Sequence, residues 1–98
     1  MVYLHASIKL RAGTLPRFVS LLNEIVPVVE KKHGWKLLGS YANVIGRINT
    51  VVDLWEVPNA NAVQAALSDP ELQKFAPQIN EVIEDETLQL LTKLPIPS

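Results

Sequence analysis

The chain has 98 residues, of which 48% are hydrophobic, and its nine Lys and Arg oppose ten Asp and Glu for a formal net charge of −1. This balance gives no electrostatic reason to bind nucleic acid or an anionic membrane. Cysteine is absent, which excludes disulfides, thiolate metal sites and a cysteine nucleophile. The length predicts a single domain over residues 1–98.

The first predicted element is a strand that follows Met1 directly. Val2–Leu10 alternates apolar and polar residues, as a half-buried strand does. Its even-numbered residues form one face, and His5 lies on the other. No signal-peptide pattern precedes this strand, and no apolar run approaches the ~20 residues that span a bilayer. We therefore expect a cytoplasmic protein without a membrane partner.

A long helix is predicted next, with Thr14 as its N-cap. Its apolar residues recur at helical spacing and predict one buried stripe, made of Leu15, Phe18, Leu22, Ile25 and Val29. Pro27 removes one backbone hydrogen bond inside this helix and predicts a kink. His33 follows two lysines and precedes Gly34, a pattern typical of a helix C-terminus.

Two strands follow, over Trp35–Val44 and Ile48–Val57. The two-residue segment Gly46-Arg47 between them suits a type II′ hairpin turn. The second of these strands is apolar on both faces. This pattern is typical of a central strand that is covered on both sides.

The last third of the chain predicts two helical segments and a strand. Asn59 or Asn61 can begin a short helix that ends at Leu67. A second helix follows, bent at Pro77, and its buried stripe comprises Leu72, Phe75, Ile79, Val82 and Ile83. The fourth strand is predicted over Glu86–Leu94, where apolar and polar residues alternate again.

The predicted order is β-α-β-β-α-β, which indicates a ferredoxin-like α+β fold with an antiparallel four-stranded sheet. The right-handed crossover rule places the third strand between the first and the second. Two helices cover only one face of such a sheet, so Tyr41, Val52 and Leu54 would lie exposed on the other. Two copies packed sheet to sheet about a two-fold axis would cover these groups. We therefore expect a homodimer.

Several segments, in their order along the chain, carry a family resemblance: Gly13, Leu38–Tyr41, Ile45–Asn49, Val51–Trp55 and Asp69-Pro70 followed by Phe75. They resemble the NIPSNAP-type members of the dimeric α/β-barrel superfamily. The resemblance implies a dimeric α/β barrel with a ligand pocket between the sheet and the helices of each subunit. The superfamily includes cofactor-free monooxygenases, muconolactone-type isomerases, polyketide cyclases and haem-degrading enzymes, so the resemblance implies fold more than chemistry.

The chain departs from similar sequences at three places. Relatives often carry an Arg near Ala6 and a His at the position of Asp53, and this chain has neither. Haem-degrading relatives use a His on the second helix, and Phe75–Gln78 contains none, so we expect no haem or other cofactor. His5 and His33 lie far apart without ligand-spaced partners, so we expect no metal site.

Asp53 is the first candidate catalytic residue, because it interrupts an apolar strand. If its face meets the helices, as the resemblance implies, burial raises the pKa of its carboxyl and suits it to act as a general acid or base. The predicted turn places Ser40 opposite Asp53, where the hydroxyl could donate to the carboxylate, and Leu38 opposite Trp55. The alternative is a structural Asp paired to a neighbouring Lys, Arg or Ser.

His5 is the second candidate. It would face the interior of the dimer barrel, where it could shuttle protons, or it is an interface His satisfied by a hydroxyl. If the two faces are reversed, His5 and Asp53 share a face as an acid–base pair. Trp55 offers an aromatic wall to a ligand or fills core volume. The acidic run from Glu81 to Glu86 is interpreted as a solvated helix end.

A small residue at position 6 should leave space between the sheet and the helices. The residues predicted to bind a ligand there are Ala6, Phe18, Leu38, Ser40, Trp55 and Phe75. A mostly apolar cavity suits a small apolar or aromatic molecule. The sequence therefore predicts a dimer that binds a small molecule. It leaves open whether this dimer is also a cofactor-free enzyme of the isomerase, cyclase or monooxygenase type, and the alternative is a non-catalytic binding or accessory dimer of a pathway.

Overall fold

A computed structural model describes residues 1–97. Its elements in chain order are strand β1 (Val2–Leu10), helix α1 (Leu15–His33), strands β2 (Lys36–Ala42) and β3 (Thr50–Val57), helices α2 (Ala60–Leu67), α3 (Pro70–Gln73) and α4 (Ala76–Val82), and strand β4 (Ile83–Leu91). The predicted order of strands and helical segments is therefore observed, and Ser98 lies outside the described residues.

The four strands form one antiparallel sheet in the order β2-β3-β1-β4. The third strand lies between the first and the second, as the crossover rule predicts. This order, with the helices packed on one face, confirms the ferredoxin-like α+β fold.

Alternation along β1 and β3 decides which side chains meet the helices. The inner face is buried and consists of Leu4, Ala6, Ile8 and Leu10 on β1 and Val51, Asp53, Trp55 and Val57 on β3. Phe18, Leu21 and Val29 of α1 pack against it, together with residues of α2 and α4. Asp53 is thus the one ionisable side chain in the two central inner rows.

The ends of α1 follow the predicted chemistry only in part. Gly34 ends the helix in the left-handed region at φ 72°, where a residue without Cβ is favoured. Thr14 occupies the N-cap position, but its side chain does not cap the helix. Its hydroxyl instead donates to the carbonyl of Arg11 at 2.7 Å, so it stabilises the turn that leaves β1.

The buried carboxylate of Asp69 connects the end of α1 to the start of α3. Lys32 Nζ and His33 Nε2 lie 2.9 and 2.7 Å from its Oδ2, and the backbone N–H of Glu71 donates to its Oδ1 at 2.9 Å. The hydrogen bond from Lys32 and then that from His33 lower the pKa of Asp69 to about 2. His33 is therefore a helix C-terminal residue, as predicted, with a structural partner.

The turn between β2 and β3 is not the predicted two-residue hairpin. Residues 43–49 form a longer loop, closed where the Asn43 N–H donates to the carbonyl of Thr50 at 3.0 Å. Gly46 and Asn49 both have positive φ, 106° and 61°. Two residues in the left-handed backbone conformation thus help the loop to reverse the chain direction. The two strands pair only outside the loop.

A bulge in β2 corrects one predicted site residue. Ser40 pairs with Asp53 as expected, but the register shifts between Leu37 and Gly39, and Leu37 pairs with Trp55. Leu38 is the extra residue and is 42% exposed. Its predicted position opposite Trp55 is wrong, and Leu37 packs against the core there instead.

The second predicted helix is divided. α3 ends at Gln73 and α4 begins at Ala76, because the ring of Pro77 conflicts with the carbonyl of Gln73 in a continuous helix. Ile83 was expected on this helix and instead begins β4. The fourth strand therefore starts before its predicted first residue, Glu86.

The face of the sheet away from the helices is open. Tyr41 is 63% exposed on β2, and it pairs with Val52 of β3. Leu54 and His5 lie side by side on the same face and are half-buried. Within residues 1–97, no helix has both the length and the hydropathy that crossing a bilayer requires.

Candidate active site

Asp53 lies in the middle of β3 with its carboxyl between the sheet and the helices. The residue is only 3% exposed. Ser40, its neighbour on β2, donates its hydroxyl hydrogen to Asp53 Oδ1 at 2.5 Å. This contact is the one that strand register predicted, and it fixes the rotamer of the carboxyl.

The second carboxyl oxygen of Asp53 is open. Among residues 1–97 no side chain or backbone group donates to Oδ2, and the carboxylate forms no salt bridge. No buried side-chain oxygen or nitrogen in the described chain lacks a partner, so Oδ2 is not sealed inside the protein. Asp53 Oδ2 is therefore accessible from the space between the sheet and the helices.

That space is a cavity of about 210 Å³ between the inner face of the sheet and the helices. Its lining is mainly apolar. Ala6, Phe18 and Trp55 contribute to it, together with Trp35 and with Asp53 itself. The rings of Trp35 and Trp55 meet edge to face, with centroids 5.4 Å apart. The cavity is large enough for a small molecule with one or two rings.

Two predicted ligand-binding residues lie elsewhere. Leu38 is outside the cavity because of the bulge in β2. Phe75 is half-buried and packs against the core beside α1 and α4 without lining the cavity. Ser40 contacts the cavity only through Asp53. The predictions for Ala6, Phe18 and Trp55 thus agree in position with the cavity, and those for Leu38 and Phe75 do not.

Burial governs the acidity of Asp53. Removal of the carboxylate from water raises the pKa of Asp53 above its ordinary value, and the hydrogen bond from Ser40 lowers it by less. A carboxyl with a raised pKa is a stronger base when ionised, and it is better matched to proton transfer near neutral pH.

Glu86 on β4 is a second acidic residue of the cavity. It pairs with Ile8 of β1, one inner-face position along the strand from Ala6, which pairs with Asp53. Partial removal from water beside the cavity raises the pKa of the Glu86 carboxyl, and the negative charge of Asp53 raises it further. The residue itself is exposed, so it lies at the open side of the cavity.

Glu86 is exposed, as its interpretation as a solvated residue predicts, but it lies on β4 and not at a helix end. A signal for its position was present in the sequence, because Glu86 shares the alternation phase of Leu88 and Leu90. That phase points to the inner face of the sheet. The predicted fourth strand already began at Glu86, so the error was to count the same residue as part of the helix end.

His5 is separated from Asp53 by the sheet. It pairs with Leu54 and Gln89 on the open face, whereas Asp53 lies on the helix side. The alternative in which His5 and Asp53 share a face as an acid–base pair is wrong. In the described chain no group of three or more His, Asp or Glu side chains is arranged to hold a metal ion.

Comparison with known proteins agrees with this architecture. A NIPSNAP domain protein from Burkholderia xenovorans superposes with a TM-score of 0.82 at 20% identity, over 100% of this chain and 99% of that one. A NIPSNAP family protein from Agrobacterium tumefaciens superposes with a TM-score of 0.78 at 24% identity, over 93% of this chain and 86% of that one. A protein named antibiotic biosynthesis monooxygenase superposes with a TM-score of 0.72 at 18% identity, over 97% of this chain and 100% of that one.

The structural similarities show the fold, and the sequence itself gives the family. A search of curated proteins finds no match. The NIPSNAP family profile matches residues 3–97, which is nearly the whole chain. The chain therefore belongs to the NIPSNAP family.

Proposed function

We propose that this protein binds a small apolar or aromatic molecule in the cavity and transfers a proton to or from it through Asp53. The observation that carries the proposal is the state of this carboxyl, which is 3% exposed and keeps one oxygen free beside an apolar cavity of about 210 Å³. Pockets with an apolar lining and few convergent polar groups are typical of small-molecule sites.

The arrangement suits removal of a proton from an acidic C–H or O–H group. Asp53 Oδ2 takes the proton, the bond to hydrogen breaks, and its electron pair stays on the ligand as an enolate or phenolate. Ser40 holds Oδ1 and keeps Oδ2 directed at the ligand. Return of the proton to another atom of the ligand would complete an isomerisation or cyclisation. Monooxygenase activity, which the name of one structural neighbour indicates for that protein, is a fold-level analogy.

The alternative is a binding or accessory protein without catalysis. A cavity closed by its aromatic residues, with Asp53 in a salt bridge, would favour that alternative. Instead the cavity is open, and Asp53 has only a hydroxyl partner among residues 1–97. The geometry thus favours an acid–base role.

We also propose that the protein acts as a homodimer through the open face of its sheet. Tyr41 and Val52 are adjacent there, beside the half-buried Leu54. A second copy related by a two-fold axis would present the same surface and cover both apolar faces at once. His5 would then lie at the interface.

Binding is tested with 2-indanone, a compact bicyclic ketone that has acidic C–H groups beside its carbonyl. The chain has two tryptophans, Trp35 and Trp55, and both line the cavity. Their fluorescence therefore reports occupancy of the cavity directly. We expect saturable quenching in the unaltered protein.

Replacing Ala6 by Leu should weaken this binding, because position 6 lies at the centre of the inner face and its added carbons would occupy the cavity. We expect an affinity at least about tenfold weaker, with thermal stability unchanged or higher. Ala65→Leu is the matched control, since Ala65 is exposed on α2. Equal affinity of Ala6→Leu and the unaltered protein would contradict the cavity as the binding site.

A further inference from the structure

The ionisable residues that line the cavity are all acidic. Among residues 1–97 its ionisable lining residues are Asp53 and Glu86, and no Lys, Arg or His lines it. A ligand with a carboxylate or phosphate would bring a third negative charge into this apolar space with no cation to compensate. A ligand with a positive charge would compensate the carboxylates already present.

The open oxygen of Asp53 is an independent indication of a polar ligand group. Asp53 is only 3% exposed. Its Oδ2 accepts no hydrogen bond from residues 1–97. A buried carboxylate oxygen costs free energy until a donor reaches it. Because Oδ2 reaches the cavity, water or a polar group of a ligand there can supply the donor.

The aromatic lining suits the ring of such a ligand. Trp35 and Trp55 pack edge to face, and Trp35 Nε1 is occupied as a donor to the carbonyl of Ala62 at 3.3 Å. Both indoles line the cavity. Such a lining is typical of pockets that hold an apolar ring.

We propose that the natural ligand of this cavity is a small cyclic apolar molecule that carries a protonated amine, with Glu86 as the anchor of its ammonium group. This inference rests on the proposed binding function of the same cavity. Glu86 at the open side holds the ammonium, and the ring enters between Ala6, Phe18 and Trp55 toward Asp53. Burial raises the pKa values of both carboxyls, and the charge of Asp53 raises that of Glu86 further. A bound cation offsets this repulsion.

Glu86 and Asp53 then have different roles. Glu86 is a positioning and specificity residue, since it selects the charge of the ligand. Asp53 is the group that exchanges a proton with the ligand skeleton. Loss of Glu86 should therefore change binding of charged ligands and leave binding of neutral ones.

The test uses three probes that share one bicyclic skeleton: 2-aminoindane, 2-indanol and indane-2-carboxylate. We expect 2-aminoindane to bind at least about tenfold more tightly than 2-indanol, and indane-2-carboxylate not to bind measurably. Glu86→Gln should weaken 2-aminoindane by about tenfold and leave 2-indanol unchanged. Isothermal titration calorimetry measures all three affinities without relying on fluorescence.

Glu84→Gln is the matched control, because Glu84 lies on the same strand, pairs with Lys9 at 3.6 Å and does not line the cavity. It should bind all three probes like the unaltered protein. If 2-indanol or the carboxylate binds as tightly as 2-aminoindane, or if Glu86→Gln does not weaken 2-aminoindane, the cation preference is overturned while binding in the cavity stands. Failure of all three probes and of 2-indanone to bind would overturn both proposals.

Discussion

Replacing Asp53 by Asn should reduce the protein-catalysed exchange of the acidic C–H protons of 2-indanone for deuterium to the rate of the buffer. The amide keeps the shape of the carboxyl but accepts no proton at neutral pH. A positioned general base contributes about 10²–10⁴-fold to a proton transfer, so a loss of at least about 100-fold is expected. Nuclear magnetic resonance in deuterated buffer measures the exchange directly.

Two controls separate lost chemistry from lost structure. Asp53→Asn should keep the thermal stability and the 2-indanone affinity of the unaltered protein, because a neutral amide is easier to bury than a carboxylate. Ser40→Ala should retain part of the exchange, since it removes only the group that orients the carboxyl. Exchange that continues at the original rate in Asp53→Asn would end the acid–base proposal and leave a binding protein.

The pH dependence of the exchange follows from the same carboxyl. Asp53 accepts a proton only when it is ionised, so the rate rises with pH through its pKa in the folded protein. Burial places this pKa above the 3.8 of an unburied aspartate. Ser40→Ala should move the rising limb to still higher pH, because the lost hydrogen bond from Ser40 lowers the pKa of the native carboxyl.

Replacing Leu54 by Lys should convert the protein from a dimer to a monomer. Leu54 lies beside His5 on the open face of the sheet, and the two-fold axis would bring one new Lys from each chain into the interface. Each ammonium would lose its water without a compensating partner. We expect the dissociation constant of the dimer to rise by at least about 100-fold.

Analytical ultracentrifugation distinguishes the two states, since the chain mass is 10.9 kDa. The unaltered protein should sediment at twice that mass at micromolar concentration, and Leu54→Lys at the single-chain mass with its fold intact. Leu15→Lys is the control, because Leu15 is 43% exposed at the start of α1, in the helix layer. A folded, unaltered protein at the single-chain mass would contradict the proposed dimer.

Alternation carried most of the successful predictions. Period two along β1 and β3 grouped the residues that share a face, and antiparallel pairing placed Ser40 opposite Asp53. That pairing held although the turn was wrong, because the loop of residues 43–49 opens symmetrically without shifting the register. The face of Asp53 itself was taken from the family resemblance, and the structure agrees with it.

The misplacement of Leu38 came from an irregularity that the periodic pattern does not contain. The bulge lies next to Gly39, and a side chain at Gly39 would collide with the ring of Tyr41. A glycine inside a strand pattern is itself a sign of a bulge or a close approach. Gly39 therefore indicates a bulge or a close contact in this strand. Which residue becomes the extra one depends on how Tyr41 packs.

Glu86 was missed for a different reason. Whether residues 83–86 continue a helix or begin a strand is decided by packing of Ile83 against the core and by pairing with β1. Both are long-range contacts that local helical spacing does not register. The alternation of Glu86 with Leu88 and Leu90 indicated its face, but its place in the cavity depends on the packing of that face against the helices.

The most direct measurement of the central claim is a crystal structure of the unaltered protein with 2-indanone bound. Electron density for the ligand should fill the space beside Ala6, with an acidic carbon of the ring within about 3.5 Å of Asp53 Oδ2, the separation that proton transfer requires. Ligand bound only outside this cavity, or Asp53 turned away from a closed and empty core, would contradict the account.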